Sequence, residues 1–223
     1  MKALLKVTLT LALVFASTFV IVKSTGALSI EDIEFWLESA KSISPVYVAS
    51  IVIALLFADL FIAVPTLTVT ILSGFFLGHA MGAGAAIAGL VLAGLCGYGL
   101  SYVYGGNLVL FLIKDKHQRD EARAGFKKHG VVMILFSRAL PILPEISACM
   151  AGMTHMKFRT FLMAWCMSTI PYALIATYAG SISTVDNPKP AIFTAIGLTS
   201  FFWLGWLVIR KKAGIPVTRT NKP

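Results

Sequence analysis

Three charged residues interrupt the apolar stretches of this 223-residue chain: Asp59, Arg138 and Glu145. By insertion scales an Asp or Arg at the bilayer centre costs about 2.5–3.5 kcal/mol, so such residues pair with one another or face water. Two chemistries fit two acids and one base. A static ion pair would join the segments that carry them. Alternatively, Arg138 would neutralise an anion while one carboxyl group gains and loses a proton, coupling proton binding to movement of that anion. Prolines sit nearby: Pro65 follows Asp59, and Pro141 and Pro144 lie between Arg138 and Glu145. Helices broken there leave backbone N–H and C=O groups free to bind ions.

Other chemistries find no support. Cys96, Cys149 and Cys166 fall inside apolar runs without metal-ligand spacing and are read as buried thiols. His79, His117, His129 and His155 lie near interfaces or loops and are read as bystanders. No phosphate loop, nucleophile elbow or metal motif occurs. The expectation is therefore no enzyme, no cofactor and no metal.

The elements that must position the three charges are read from hydropathy. The chain is 57% hydrophobic and 13% charged, with a mean hydropathy of +0.83, whereas a soluble domain carries about 25% charged residues. No acid, lysine or arginine occurs from Leu60 to Ile113. A water-soluble globule is excluded. The net charge of +9 would suit nucleic acid, but the bases flank apolar runs, as cytoplasmic membrane flanks do, and no nucleic-acid partner is expected.

Residues 7–22 form a short apolar run between Lys6 and Lys23, readable as a retained anchor or as a signal peptide ending near Ser24-Thr25-Gly26. Ser29 to Lys41 reads as an interfacial amphipathic helix, with Ile30, Ile33, Leu37 and Ala40 on one face. The runs 45–80 and 131–153 each carry charge and proline at their centre, which a straight spanning helix does not tolerate. Both are expected to be re-entrant hairpins, turning at Pro65 and at Pro141 and Pro144. The runs 83–105, 158–180 and 191–209 read as ordinary spans, and the charged stretch 114–129 as a cytoplasmic helix with a solvated face.

With four spans, two hairpins and the N-terminus inside, fifteen bases and three acids are cytoplasmic, against three bases and five acids outside. This satisfies the positive-inside rule at every loop, with both termini cytoplasmic. The hairpins then enter from opposite faces, each followed by a span. That is the trace of an inverted repeat, in which the broken segments meet near the midplane and form the substrate site. The fold expected is an all-α integral membrane protein: residues 1–44 as anchor and interfacial helix, 45–182 as the core, and 183–223 as the last span and basic tail. Gly74, Gly78 and Gly82 recur every fourth residue and predict a bare helix face for close packing, a theme that Gly89, Gly94, Gly97 and Gly99 continue.

Phe136-Ser-Arg138-Ala-Leu-Pro141-Ile-Leu-Pro144, followed by Ala151-Gly152, Phe161, Pro171 and Gly180, resembles the signature of the DedA and SNARE-associated Golgi protein superfamily, the VTT domain. The first half agrees through Pro65, Gly74, Gly78, Gly82 and Leu100-Ser-Tyr102-Val-Tyr-Gly105. The resemblance covers about residues 45–182, counts Gly152 with the packing glycines, and implies two opposed re-entrant hairpins. It also implies transport, with lipid movement favoured, in a plasma (inner) membrane of bacterial type. Arg138 matches the first family arginine, and Asp59 falls near the family's acidic residue before the first turn. The branch that handles polyprenyl phosphate has a second arginine where this chain has Pro144; the Pro-x-x-Pro form is closer to the SNARE-associated Golgi branch. Glu145 has no family counterpart.

The function expected is lipid translocation or scrambling with proton coupling, Arg138 contacting an anionic head group and Asp59 or Glu145 titrating. Transport of a small ion or soluble solute, or a non-transporting scaffold recruiting partners through residues 114–128, are the rival readings. Membrane lipids and protons are the expected partners, and self-association is compatible with this reading.

Overall fold

A computed structural model describes residues 44–62, 64–112, 129–139, 143–184 and 189–212, together with Ala124 and Phe126. The expected anchor 7–22, the interfacial helix 29–41, His117, most of the basic segment 114–128, Pro141 and the tail from residue 213 lie outside the described residues. Among those described, the fold is helical, with no strand.

Helix α1, Pro45–Ala58, starts where Ser44 Oγ accepts the Val46 N–H at 3.3 Å, with Pro45 in the first turn, where its missing N–H is no loss. It buries Val48, Val52, Leu55 and Leu56, the spacing of one helix face. Its 14 residues reach about 21 Å, short of the ~30 Å hydrocarbon core. The chain then turns through residues 59–65 into α2, Thr66–Leu112.

Helix α2 is two helices. At Gly78 the backbone takes φ 75° and ψ 170°, a region open in practice to glycine alone. The chain doubles back there: Ser73 Oγ lies 3.3 Å from the Gly82 carbonyl oxygen, whereas nine residues of straight helix would separate them by about 13.5 Å. The first part, 66–77, is as short as α1; the second, 79–112, is long. Gly74, Gly78 and Gly82 are therefore not one continuous face. A side chain at Gly74 would collide with the Thr177 backbone, and one at Gly82 with the backbone of Ser73. Gly78 has open space around it, and its role is the bend, not packing.

The second half repeats the order of short elements followed by a long helix. A helical segment, 129–135, leads to a 3-10 turn, Ser137–Ala139, then to α3, Leu143–Met153, and α4, Phe158–Ser181. Pro144 lies in the first turn of α3 and is buried. It stands at the start of that helix, where a proline is tolerated because a first-turn N–H has no intrahelical acceptor to lose. Pro65 likewise stands just before α2, and its carbonyl accepts the Val69 N–H at 3.0 Å. Helix α3 ends in a Schellman motif, Met156 N–H to Ala151 O and His155 N–H to Gly152 O, with His155 at φ 52°.

Helix α4 runs antiparallel to the second part of α2. Tyr98 stacks on Phe161 with ring centroids 4.6 Å apart, and, further back along α2, the Trp165 indole N–H donates to Leu90 O at 3.1 Å. Gly152 lets α3 approach the α2 backbone at Tyr98 and Tyr102, and Gly180 lets α4 cross α2 at Ile71 and Phe75. Helix α5, Lys189–Lys212, covers the apolar run 191–209 and buries Leu198 and Phe202 against Tyr172 of α4. Phe126 is fully buried in the cluster with Ile134, Met150 and Phe161. Among the described residues two helices are long and apolar enough to cross a bilayer, Thr66–Gly105 and Phe158–Ser181; after the bend, residues 79–105 of the first still reach about 40 Å.

Candidate functional site

The three charged residues named from sequence line one cavity. Asp59 and Leu60 follow the end of α1, Leu90, Ala93 and Gly94 come from α2, Arg138 from the 3-10 turn, Glu145 and Ala148 from α3, and Trp165 from α4. The cavity is about 10 Å³, room for about one water molecule.

Asp59 is 7% exposed and holds the turn before α2. Its Oδ1 accepts the Val64 N–H at 2.9 Å and its Oδ2 accepts the Thr66 hydroxyl at 2.7 Å. A carboxylate with both oxygens engaged by donors stays an acceptor. Glu145 stands in the first turn of α3, where an acid suits the positive end of the helix dipole. Its Oε2 is buried with no donor among the described residues, and Glu145 lines the same cavity as Asp59.

Arg138 is held differently from the expected ion pair. Its Nη2 donates to Thr169 Oγ1 at 3.0 Å, and its guanidinium carbon lies 5.0 Å from the Tyr172 ring centroid and 5.4 Å from that of Trp165. These are its contacts among the described residues; no carboxylate is among them. Trp165, Thr169 and Tyr172 sit at i, i+4 and i+7 on α4, so they share one face. All three are buried. The helical segment leading into the 3-10 turn is tied to the same helix, because Ser168 Oγ donates to Leu135 O at 3.2 Å.

The structure thus brings Asp59, Arg138 and Glu145 together and leaves Pro65 and Pro144 at neighbouring helix starts. The residues missed in the sequence are Trp165, Thr169 and Tyr172. Their signal was an aromatic–hydroxyl–aromatic stripe at helical spacing inside an apolar span, which also reads as ordinary packing. Among the described residues no three His, Cys, Asp or Glu side chains gather as metal ligands. Cys96, Cys149 and Cys166 are free thiols, and His79 Nδ1 lies 3.2 Å from Thr177 Oγ1, away from the cavity lining.

No curated protein and no solved structure matches the chain. The family model described as VTT domain matches residues 64–182, a stretch that holds Arg138, Glu145 and the whole α4 face around them. With more than half of its length matched and with helices fit to cross a bilayer, the chain is a membrane protein belonging to the VTT domain family, the DedA/SNARE-associated Golgi superfamily.

Proposed function

We propose that this protein moves lipid across a bacterial plasma membrane as a translocase or scramblase, with Arg138 taking the anionic head group and the Asp59–Glu145 pair carrying the coupling proton. The observation that carries the reading is an arginine that contacts no carboxylate among the described residues, yet shares a cavity with the carboxyl groups of Asp59 and Glu145. Two carboxyl groups lining one small cavity do not both ionise cheaply, so one of them is suited to take up and release a proton. The arrangement of elements supports an inverted repeat of two re-entrant units, 45–80 with 83–105 and 131–153 with 158–180: short α1 and the first part of α2 precede one long helix, and short α3 precedes an antiparallel one. Both termini are then cytoplasmic.

The size of the cavity favours one second reading, transport of a small ion or solute, since a lipid head group enters only when the helices around it separate. Purified protein in liposomes with head-group-labelled lipids separates the two. Lipid movement that disappears in Arg138→Lys at normal folded yield supports the first, because an ammonium cannot supply the planar fork that holds an oxyanion by two hydrogen bonds. Solute flux without lipid movement supports the second, and neither activity supports a scaffold. Since Arg138 contacts no described carboxylate, adding Asp59→Asn to Arg138→Ala should not restore activity; rescue by that double change would point back to a structural ion pair.

A further inference from the structure

An arginine beside two carboxyl groups in a low-dielectric cavity is expected to swing onto them, since opposite charges attract far more strongly there than in water. Arg138 lines the cavity with Asp59 and Glu145, yet the contacts it makes among the described residues are with α4. Its own backbone is a three-residue 3-10 turn, too short to fix a side chain of four rotatable bonds. Something in its surroundings must outcompete the acids.

The α4 face has the parts to do so. Thr169 supplies an oxygen acceptor at 3.0 Å, a charge-assisted hydrogen bond. Tyr172 and Trp165 each offer a ring face to the guanidinium, an attraction that grows when the cation is desolvated. The two rings are pinned in turn. Trp165 donates its indole N–H to Leu90 O, and its ring occupies the space that a side chain at Gly94 would fill. Tyr172 meets Phe202 of α5 edge to face at 6.4 Å. Arg138 has five N–H donors, and Thr169 takes one.

We infer that Trp165, Thr169 and Tyr172 are positioning residues: they hold Arg138 off the Asp59–Glu145 pair and keep the rest of its N–H fork open for a substrate oxyanion. This rests on the lipid-transport reading of the cavity. Thr169 is the decisive member, because it alone sets the in-plane direction of the guanidinium; the rings fix only the plane. When its hydroxyl is lost, Arg138 turns to the acids, which then occupy the donors that the head group needs.

The test uses the full chain and two substitutions, Thr169→Val, which keeps volume and removes the acceptor, and Thr169→Ser, which restores it. Binding of dihexanoyl phosphatidylglycerol to detergent-solubilised protein is measured beside transport of labelled phosphatidylglycerol in liposomes. Thr169→Val should fold in normal yield, weaken binding on the order of tenfold, raise half-saturation of transport to match and leave the maximal rate near that of the wild type. Thr169→Ser should stay within about twofold of the wild type. Equal binding by Thr169→Val and wild type, or a fall in maximal rate with unchanged half-saturation, overturns the positioning role. Wild-type binding that Thr169→Val weakens, without lipid movement, sinks the transport reading and leaves the cradle standing. Lipid movement with no difference in binding does the reverse, and no wild-type binding at all overturns the cradle.

Discussion

Gly78 and Gly84 both have open space where a side chain would go, so substituting alanine at each isolates backbone conformation from crowding. At Gly84 the backbone is helical, and alanine should stabilise by about 0.5–1 kcal/mol through the lower entropy of the unfolded chain and better helix propensity. At Gly78 the φ of 75° and ψ of 170° lie where an L side chain costs about 1–3 kcal/mol. The same chemical change at two glycines of one element is thus expected to differ by roughly 1.5–4 kcal/mol in effect. For a chain of this length each kcal/mol moves the melting midpoint by about 2–4 °C, so the two variants should melt ~3–16 °C apart. Differential scanning fluorimetry of purified protein in one detergent is sufficient to read this. If Gly78→Ala and Gly84→Ala shift the midpoint by the same amount and in the same direction, the chain does not reverse at Gly78, and α2 is one straight helix. A second consequence separates strain from packing: Gly74→Ala places a methyl group against the Thr177 backbone and should destabilise through helix separation, although its own backbone is helical.

Two further expectations follow from particular elements. His155 occupies the left-handed position of the Schellman motif at the end of α3 and meets the Tyr102 ring edge to face at 4.5 Å; His155→Gly should be neutral to stabilising by up to about 1 kcal/mol, whereas His155→Ala, which keeps the strain and loses the ring contact, should cost about 1 kcal/mol. A thermal melt in which alanine is the more stable of the two contradicts this. In a cysteine-free background, Ser44→Cys and Met81→Cys should label with an impermeant maleimide from the same face of the membrane, because α1 and the first part of α2 enter and leave together; labelling from opposite faces rules out the re-entrant hairpin.

The sequence disclosed the charges that meet and not how they meet. Asp59, Arg138 and Glu145 stood out because ionisable groups are costly in apolar stretches, and that cost is a property of composition alone. The breaks near residues 59–65 and 137–144 were legible because proline and charge together forbid a straight span. What escaped notice depended on approach in three dimensions. The spacing of Gly74, Gly78 and Gly82 is the same whether the middle glycine packs or bends, and a positive φ leaves no mark on spacing. Thr169 between two aromatic residues in α4 looked like span filler until the arginine lay on it. The choice of Asp59 as a turn-holding acceptor, with Glu145 lacking a donor, followed from which N–H and O–H groups the turn presents.

The tightness of the cavity bears on electricity as well as on recognition. Room for about one water does not accommodate the file of waters along which protons or hydrated ions run, so no such file passes through this cavity with the helices arranged as they are. A voltage of about 100 mV acts on each elementary charge with ~2.3 kcal/mol, so three ionisable side chains gathered about one narrow cavity are where a potential across the membrane would act on the protein.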